Sequence, residues 1–303
     1  MTSVFIDGEA GTTGLQIRER LEGRPDIEIV SLPEDRRKDP AARSEAFAQA
    51  EIGILCLPDA AAREAVGLAG NCRLIDASTA HRVSDDWVYG MPELPGAREA
   101  IASAKRVANI GCFATCAIAI LRPLVDAGIL PPDHPCVLTG VSGYTGGGKA
   151  LIAEAEAGDL PAYFLYATGQ THKHLPEIVR YSGLDRTPLF QPSVGNYAQG
   201  MAVQLHLNAD LLPGGVPGQQ RIEAALRDFF AGDPFVGVVL PAERVDPQRL
   251  NGTNRMELSV HGDGSGRVTV VAVVDNLGKG ASGTAVQNLN LMIGAEETTG
   301  LVG

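Results

Sequence analysis

The chain has 303 residues and a net charge of -11, long enough for two domains and too acidic for the basic footprint of a nucleic-acid binder. It is rich in small aliphatic residues and only 5% aromatic, which suits an α/β enzyme with close helix–sheet packing. Cys56, Cys72, Cys112, Cys116 and Cys136 are an odd set with no regular spacing, the usage of reduced thiols in a reducing compartment. Met1-Thr2-Ser3 runs straight into a strand pattern with no basic or long apolar leader. No apolar run reaches membrane-spanning length, because Arg122 ends the best candidate. These features predict a cytoplasmic protein with neither membrane nor nucleic acid as partner.

Val4-Phe5-Ile6 predicts a first strand, and Leu15 to Leu21 an amphipathic helix. Between them lies Asp7-Gly8-Glu9-Ala10-Gly11-Thr12-Thr13-Gly14. Strand, glycine turn and helix make the setting of a dinucleotide site, where Gly8, Gly11 and Gly14 let the backbone approach a pyrophosphate at a helix start. The spacing is Gly-x-x-Gly-x-x-Gly, not the commoner Gly-x-Gly-x-x-Gly, and a turn that merely packs would also fit. The second strand, Ile27 to Leu32, carries Ser31 where a free ribose hydroxyl would call for Asp or Glu. Arg36-Arg37-Lys38 follows, so the pattern favours a 2′-phosphate and hence NADP(H). A solvated cluster balanced by Glu34 and Asp35 is the alternative.

Ile52 to Pro58 predicts a fully apolar strand of a covered parallel sheet, Ala60 to Gly67 a helix, and Arg73 to Ser78 a fourth strand. The loop after it brings Ser78, His81 and Arg82 to the carboxyl edge of the sheet, where ligands bind. Tyr89 to Leu94 is rich in turn signals, and Arg106 to Asn109 is a last short strand. It delivers Asn109-Ile110-Gly111-Cys112-Phe113-Ala114-Thr115 and the small-residue apolar run Cys116 to Leu121. A turn at Gly111 opening a helix would give Cys112 free N–H groups and a positive dipole end. That setting favours thiolate, the nucleophilic form. Simple burial would also account for a cysteine here.

Beyond this helix the pattern changes. Cys136 to Ser142 reads as a strand and Gly143 to Lys149 as a mobile glycine loop. Gln199 to Leu207 alternates at period two, with its small residues expected inward. Met256 to Val260 and Arg267 to Val274 flank Gly262-Asp263-Gly264 as a hairpin. Gly283 to Ile293 reads as a helix. The expected fold is therefore α/β: a Rossmann-type parallel-sheet nucleotide domain at 1–111, an α+β domain with few helices and a mostly antiparallel sheet at 112–282, and a C-terminal helix at 283–303 returning to the first. The extended antiparallel domain suggests self-association, as a homodimer or homotetramer.

Thr171 to Ile178 holds His172 and His174, which share one face if the backbone is extended. One could act as general acid and base and the other could bind an anionic substrate; an idle polar loop is the alternative. A thiol with a sequence-distant histidine is the pattern of a nucleophile and its base. A metal set of Cys112, Cys116, His172 and His174 lacks paired short-loop spacing, so no metal is expected.

Together these residues resemble the N-acetyl-gamma-glutamyl-phosphate reductases, in their shorter-chain branch, over nearly the whole length. The carriers are Gly8-x-x-Gly11-x-x-Gly14, Tyr89-Gly90-Met91-Pro92-Glu93-Leu94, Asn109-Ile110-Gly111-Cys112, Gly140-Val141-Ser142-Gly143, His172-Lys173-His174-Leu175-Pro176-Glu177-Ile178 and Asp275 to Gly283. Ile110 and Glu9 depart from the commoner pattern: Pro precedes Gly-Cys there, and a neutral residue stands at the phosphate turn. The resemblance implies Cys112 as the acylated nucleophile, NADPH as hydride donor and His174 as acid/base, with His172 and Glu177 in the same active-site segment. The substrate side is expected to include Asn109, Arg82 as first choice for the leaving phosphate and Lys279 as second. The cofactor side is expected to take Thr12, Thr13, Ser78, Gly143 and Asn276 besides the glycines and the basic cluster. The implied reaction turns N-acetylglutamyl 5-phosphate into the semialdehyde and inorganic phosphate. Alternatives are another acyl phosphate such as aspartyl or aminoadipyl phosphate, a coenzyme A-acylating aldehyde dehydrogenase, or a non-catalytic NAD(P)-binding sensor.

Overall fold

The computed structural model describes residues 1–212 and 218–303. The chain divides into two compact units, Met1–Gly111 with Ala281–Val302, and Cys112–Gly280 with the terminal Gly303.

The first unit opens with β1 (Thr2–Asp7), α1 (Thr12–Leu21), β2 (Ile27–Val30), α2 (Pro40–Gln49) and β3 (Ile52–Leu55). It continues with α3 (Asp59–Leu68), β4 (Arg73–Asp76), β5 (Val88–Gly90), α4 (Ala97–Ser103) and β6 (Arg106–Asn109). All pairings are parallel and the strand order is β2-β1-β3-β4-β6-β5. The chain winds one way from β1 to β2 and the other way from β3 onward. The switch point thus lies between β1 and β3, the place where such sheets take a ligand. Periodicity does not reveal α2, because its buried face is mostly alanine, with Phe47 as the large apolar contact. Asp39 starts it by accepting the Ala41 N–H at 3.0 Å, and Pro40 occupies a first-turn position that needs no donor.

The second unit runs through α5 (Cys112–Asp126), β7 (Val137–Gly143), α6 (Gly148–Ala157), β8 (Tyr163–Leu165), α7 (Leu175–Ser182) and β9 (Leu189–Gly195). Then come β10 (Met201–Asn208), α8 (Gln219–Phe229), β11 (Val236–Val238), β12 (Met256–Gly262) and β13 (Arg267–Val274). The sheet order is β11-β12-β13-β10-β7-β9-β8. β7 runs parallel to β9 and β11 to β12, and the other pairs are antiparallel. The hairpin expected around Gly262-Asp263-Gly264 is β12–β13.

Three expectations for this half are corrected. The unit carries the helices α5 to α8 rather than few helices. The supposed mobile glycine loop is a 3-10 turn, Tyr144–Gly147, leading straight into α6. On β10 the continuous buried row is the large residues Met201, Val203, Leu205 and Leu207; on the other face only Ala202 is buried, while Gln204 and His206 are not. The alanines that make room for this row belong to α5, which packs on β10 and β13. Gly140 adds space, since a Cβ there would lie 2.7 Å from the Phe113 ring.

The chain ends with α9 (Gly283–Ile293), which belongs to the first unit. Its Ala285, Val286, Leu289 and Met292 join Ile17 and Leu21 of α1 and Ile101 of α4 on one face of the parallel sheet. Phe47, Ala62 and Ala65 of α2 and α3 cover the other face. Both faces are thus buried, which explains the continuous apolar run of β3.

Candidate active site

Cys112 is the first residue of α5 and is half-buried, whereas Phe113 to Leu121 behind it are all buried. A helix start leaves its first N–H groups outside the intrahelical ladder, so Cys112 sits where an oxyanion would find donors. Gly280 lies against it; a Cβ there would approach the Cys112 Cβ to 2.9 Å. The other thiols are set apart. Burial, then the carboxylates of Asp76 and Asp7, pushes Cys56 up to about 12. Burial also pushes Cys72 and Cys136 up to about 11. Cys116, fully buried one turn into α5, is pushed up by burial and by Cys112.

In the same unit His172 and His174 stand edge to face, with ring centroids 4.7 Å apart. Both are buried, and Phe113 touches each ring, at 5.7 Å and 6.3 Å between centroids. The backbone is not extended here as expected: His174 adopts φ −86° and ψ −12° and is the N-cap of α7. A turn, not strand alternation, brings the rings together. His174 Nε2 lies 3.9 Å from Oε1 of the buried Glu177, one turn along α7. Among the described residues no carboxylate pairs with His172; its Nε2 meets Tyr166 Oη at 3.1 Å, and burial followed by Lys173 drives its pKa down to about 4. Tyr166 is pushed up by burial and then by Cys112, which places its phenol in the electrostatic reach of the thiol. Sequence gave no sign of Tyr166, because the turn between it and His172 carries no periodic signal.

The glycine turn of the first unit is built for close approach. Gly8 has φ +91°, and a Cβ on it would lie 2.4 Å from the Cys56 carbonyl oxygen. A Cβ on Gly14 would lie 2.6 Å from the Gly8 oxygen, and one on Gly11 3.3 Å from it. Gly11 caps α1, so Thr12 and Thr13 form its first turn, at the carboxyl end of β1 beside the switch point. This cradle of bare backbone at a helix start fits a dinucleotide pyrophosphate. Ser31 stands just past β2, exposed. Of the basic cluster only Arg37 turns to the glycine turn, meeting Glu9 at 2.9 Å. Arg36 pairs with Asp39 and Glu45, at 3.4 Å and 3.7 Å, and Lys38 is exposed.

The remaining candidates fall in both units. In the first, Ser78 is tied to the buried Asp76 through its N–H and hydroxyl, at 2.9 Å and 2.8 Å. His81 Nδ1 meets the same carboxylate at 2.6 Å and its ring stacks on Trp87. Arg82 donates to the carbonyls of Asn109 and Ala77, at 2.9 Å and 3.2 Å. Asn109 itself donates to the Ala281 carbonyl at 2.9 Å and accepts from Asn288 at 3.0 Å. In the second unit Asn276 accepts the Gly200 N–H at 2.8 Å and donates to Thr145 Oγ1 at 3.1 Å. Gly143 leaves room for the Ala198 carbonyl, which a Cβ would meet at 2.5 Å. Lys279 is fully buried, its Nζ 5.5 Å from the centre of the Phe235 ring. Among the described residues no three His, Cys, Asp or Glu side chains converge to hold a metal ion, and no helix is long and apolar enough to cross a membrane.

Two family models match. Residues 3–104 match the semialdehyde dehydrogenase NAD binding domain, and residues 112–276 the semialdehyde dehydrogenase dimerisation domain. The N-acetyl-gamma-glutamyl-phosphate reductase of Chelativorans sp. (strain BNC1) is 51% identical over 96% of this chain and 97% of its own. That of Burkholderia lata is 50% identical over 97% of each. Among solved structures, aspartate semialdehyde dehydrogenase II from Vibrio cholerae, complexed with ASA, superposes with a TM-score of 0.73 at 17% identity, covering 97% of this chain and 98% of that one. Aspartate semialdehyde dehydrogenase with NADP from Candida albicans gives 0.69 at 14% identity, covering 97% and 98%. These structural likenesses speak for the fold. By sequence and by fold the chain belongs to the semialdehyde dehydrogenase family, among its N-acetyl-gamma-glutamyl-phosphate reductases.

Proposed function

We propose that the protein reduces N-acetyl-L-glutamyl 5-phosphate to N-acetyl-L-glutamate 5-semialdehyde with release of phosphate, using NADPH, as a step of arginine biosynthesis. The observation that carries the reading is Cys112 at the first turn of α5, in a unit that also holds the buried His174–Glu177 pair, in a chain half-identical to reductases of that name.

The Cys112 thiolate attacks the acyl carbon and the N–H groups at the start of α5 receive the oxyanion. The C–O bond to phosphate breaks with its electron pair, leaving a Cys112 thioester. Arg82 is the first choice to hold the departing phosphate; Lys279, buried over Phe235, is the weaker one. When bound, NADPH supplies the hydride, and the turn Gly8–Gly14 with Thr12 and Thr13 would hold its pyrophosphate. The imidazolium of His174 holds a proton on the oxygen of the reduced tetrahedral species, then takes it back as C=O re-forms and the thiolate leaves. Glu177, buried 3.9 Å from His174 Nε2, lies where it would face the ring when it carries that proton. His172 and Asn109 act on the substrate side, and Ser78, Gly143 and Asn276 on the cofactor side.

The dimerisation-domain match of residues 112–276 supports a homo-oligomer, dimer or tetramer. The free cysteines support a cytoplasmic setting. Aldehyde oxidation with NADP and phosphate across N-acetylglutamate, aspartate and aminoadipate semialdehydes tests the function. The first substrate should win by a wide margin in kcat/KM; preference for either of the others reassigns the acyl group. Activity with coenzyme A but not phosphate, or none with any aldehyde, sinks the proposal.

A further inference from the structure

Glu9 was an anomaly in the sequence, a negative charge in a turn that should receive phosphates. The structure shows what it holds. Its Oε2 meets Arg18 Nη1 at 2.5 Å and its Oε1 meets Arg37 Nη2 at 2.9 Å. The same Arg18 nitrogen reaches Ser31 Oγ at 3.2 Å. Two guanidiniums from different segments, α1 and the loop after β2, are thus gathered on one buried carboxylate beside the hydroxyl that ends β2. Arg18 Nε also lies 3.6 Å from Oε1 of the exposed Glu22, so the two guanidiniums face two carboxylates, one buried and one in solvent. Arg37 Nε is shut off from solvent and makes no hydrogen bond among the described residues. Such a donor needs a partner, and an anion is the partner that suits it.

We infer that Arg18 and Arg37, held in place by Glu9, are the seat of the cofactor's 2′-phosphate, and that Arg18 is a specificity-determining residue. This rests on the reading that NADPH is the cofactor. The position follows from the fold: the adenosine ribose of a dinucleotide lies between the glycine turn and the end of the second strand. Guanidinium is the side chain suited to phosphate, with several donors in a fixed plane. A carboxylate can mark the opposite preference by accepting a ribose hydroxyl, but both Glu9 oxygens are already taken by guanidiniums. Glu9 therefore acts as a positioning residue that limits the freedom of two long side chains before the ligand arrives. Arg36 plays no part in this seat, because it is turned to Asp39 and Glu45.

The test measures dissociation constants of NADPH, NADH and 2′,5′-ADP, the last a probe of the phosphorylated adenosine end alone. Arg18→Gln should weaken NADPH and 2′,5′-ADP by about tenfold or more, the scale of a lost charge-assisted hydrogen bond. NADH should hold within about twofold, which also shows that the turn is folded. Arg36→Gln should leave all three unchanged. Arg18→Gln also uncovers the Glu9 charge, so the double variant Glu9→Gln/Arg18→Gln is decisive. If Arg18 contacts the phosphate, its loss persists against Glu9→Gln alone. The inference is overturned if NADPH and NADH weaken equally, if NADPH is unaffected, or if the double variant binds as tightly as Glu9→Gln. Wild-type protein that binds NADH as tightly as NADPH and ignores 2′,5′-ADP would instead overturn the cofactor reading itself, and this inference with it.

Discussion

His172 accepts the backbone N–H of His174 on its Nδ1, at 3.2 Å. That bond fixes the tautomer. With Nδ1 as acceptor, the proton sits on Nε2, which donates to Tyr166 Oη at 3.1 Å. His172 is therefore neutral, in accord with its pKa of about 4. A neutral ring can orient a substrate by hydrogen bonding, but it gives no charge to an anion. Folding lowers this pKa below the ordinary 6.5, so the unfolded chain takes up the proton first as pH falls. The stabilisation is complete above about pH 6.5 and is lost as pH drops toward 4. Thermal melts of wild type and His172→Gln across pH 4 to 8 should show a smaller acid-side loss in the variant. Parallel curves would mean that His172 does not titrate this way.

Tyr166→Phe leaves the His172 Nε2–H buried without its acceptor. The expected cost is about 1–3 kcal/mol, read as a lower denaturation midpoint at unchanged slope. A change below about 0.5 kcal/mol would show that water replaces the phenol with little loss.

Gly280 tests how closely the thiol is held. An added Cβ would meet the Cys112 Cβ at 2.9 Å and the Asp275 carbonyl oxygen at 3.2 Å. Gly280→Ala should displace Cys112 and lower kcat about 100-fold, the scale expected for a misplaced reacting group, with cofactor affinity kept. Normal kcat in this variant would show that α5 can yield without harm to the chemistry.

The thiols should separate by reactivity. Cys56, Cys72, Cys116 and Cys136 are all pushed well above the ordinary range, mainly by burial. Iodoacetamide near neutral pH should alkylate Cys112 first, as mapped by mass spectrometry, and inactivation should follow that one modification. Cys112→Ser should lose nearly all turnover while NADPH affinity stays. Faster labelling of Cys56 or Cys72 would count against a helix-activated nucleophile.

What could be read from the sequence was local. The glycine turn, the apolar strands and the motif that starts α5 are contiguous, and each has a steric or helix-end reason written in adjacent residues. Arg18 and Glu9 were invisible as a pair because they meet through the way α1 folds back over its own turn, nine residues apart. Tyr166 and His172 meet around an irregular turn, and the reading of His172 and His174 as an extended pair had the right neighbours for the wrong reason. α2 and α6 escaped because alanine gives helix periodicity little contrast. The basic cluster was legible only as adjacent charges; the structure differentiates them, with Arg36 beside Asp39 and Glu45 and Arg37 facing the turn.

His174 separates chemistry from binding. It is the histidine with a carboxylate, Glu177 at 3.9 Å, and it begins α7, so its backbone is fixed by the Ile178 N–H on its carbonyl at 3.0 Å. A general acid and base contributes about 100- to 10,000-fold to rate. His174→Asn keeps polar contacts but carries no titratable proton near neutral pH. It should lower kcat and kcat/KM together, the mark of an interaction made mainly in the transition state, and should flatten one limb of the pH–rate profile. Glu177→Gln should act through His174, with a smaller fall in kcat than His174→Asn, because it changes the neighbour of the ring and leaves the ring in place. Acylation of Cys112 by the acyl phosphate, followed by mass spectrometry, should survive His174→Asn better than hydride transfer does, because the role proposed for His174 comes after acylation, at the reduced tetrahedral species. His172→Asn should instead raise KM with kcat nearly kept. A swap of the two phenotypes would reverse the roles within the pair and leave the reaction intact. Full kcat and KM in both variants would place the acid/base group elsewhere in the protein.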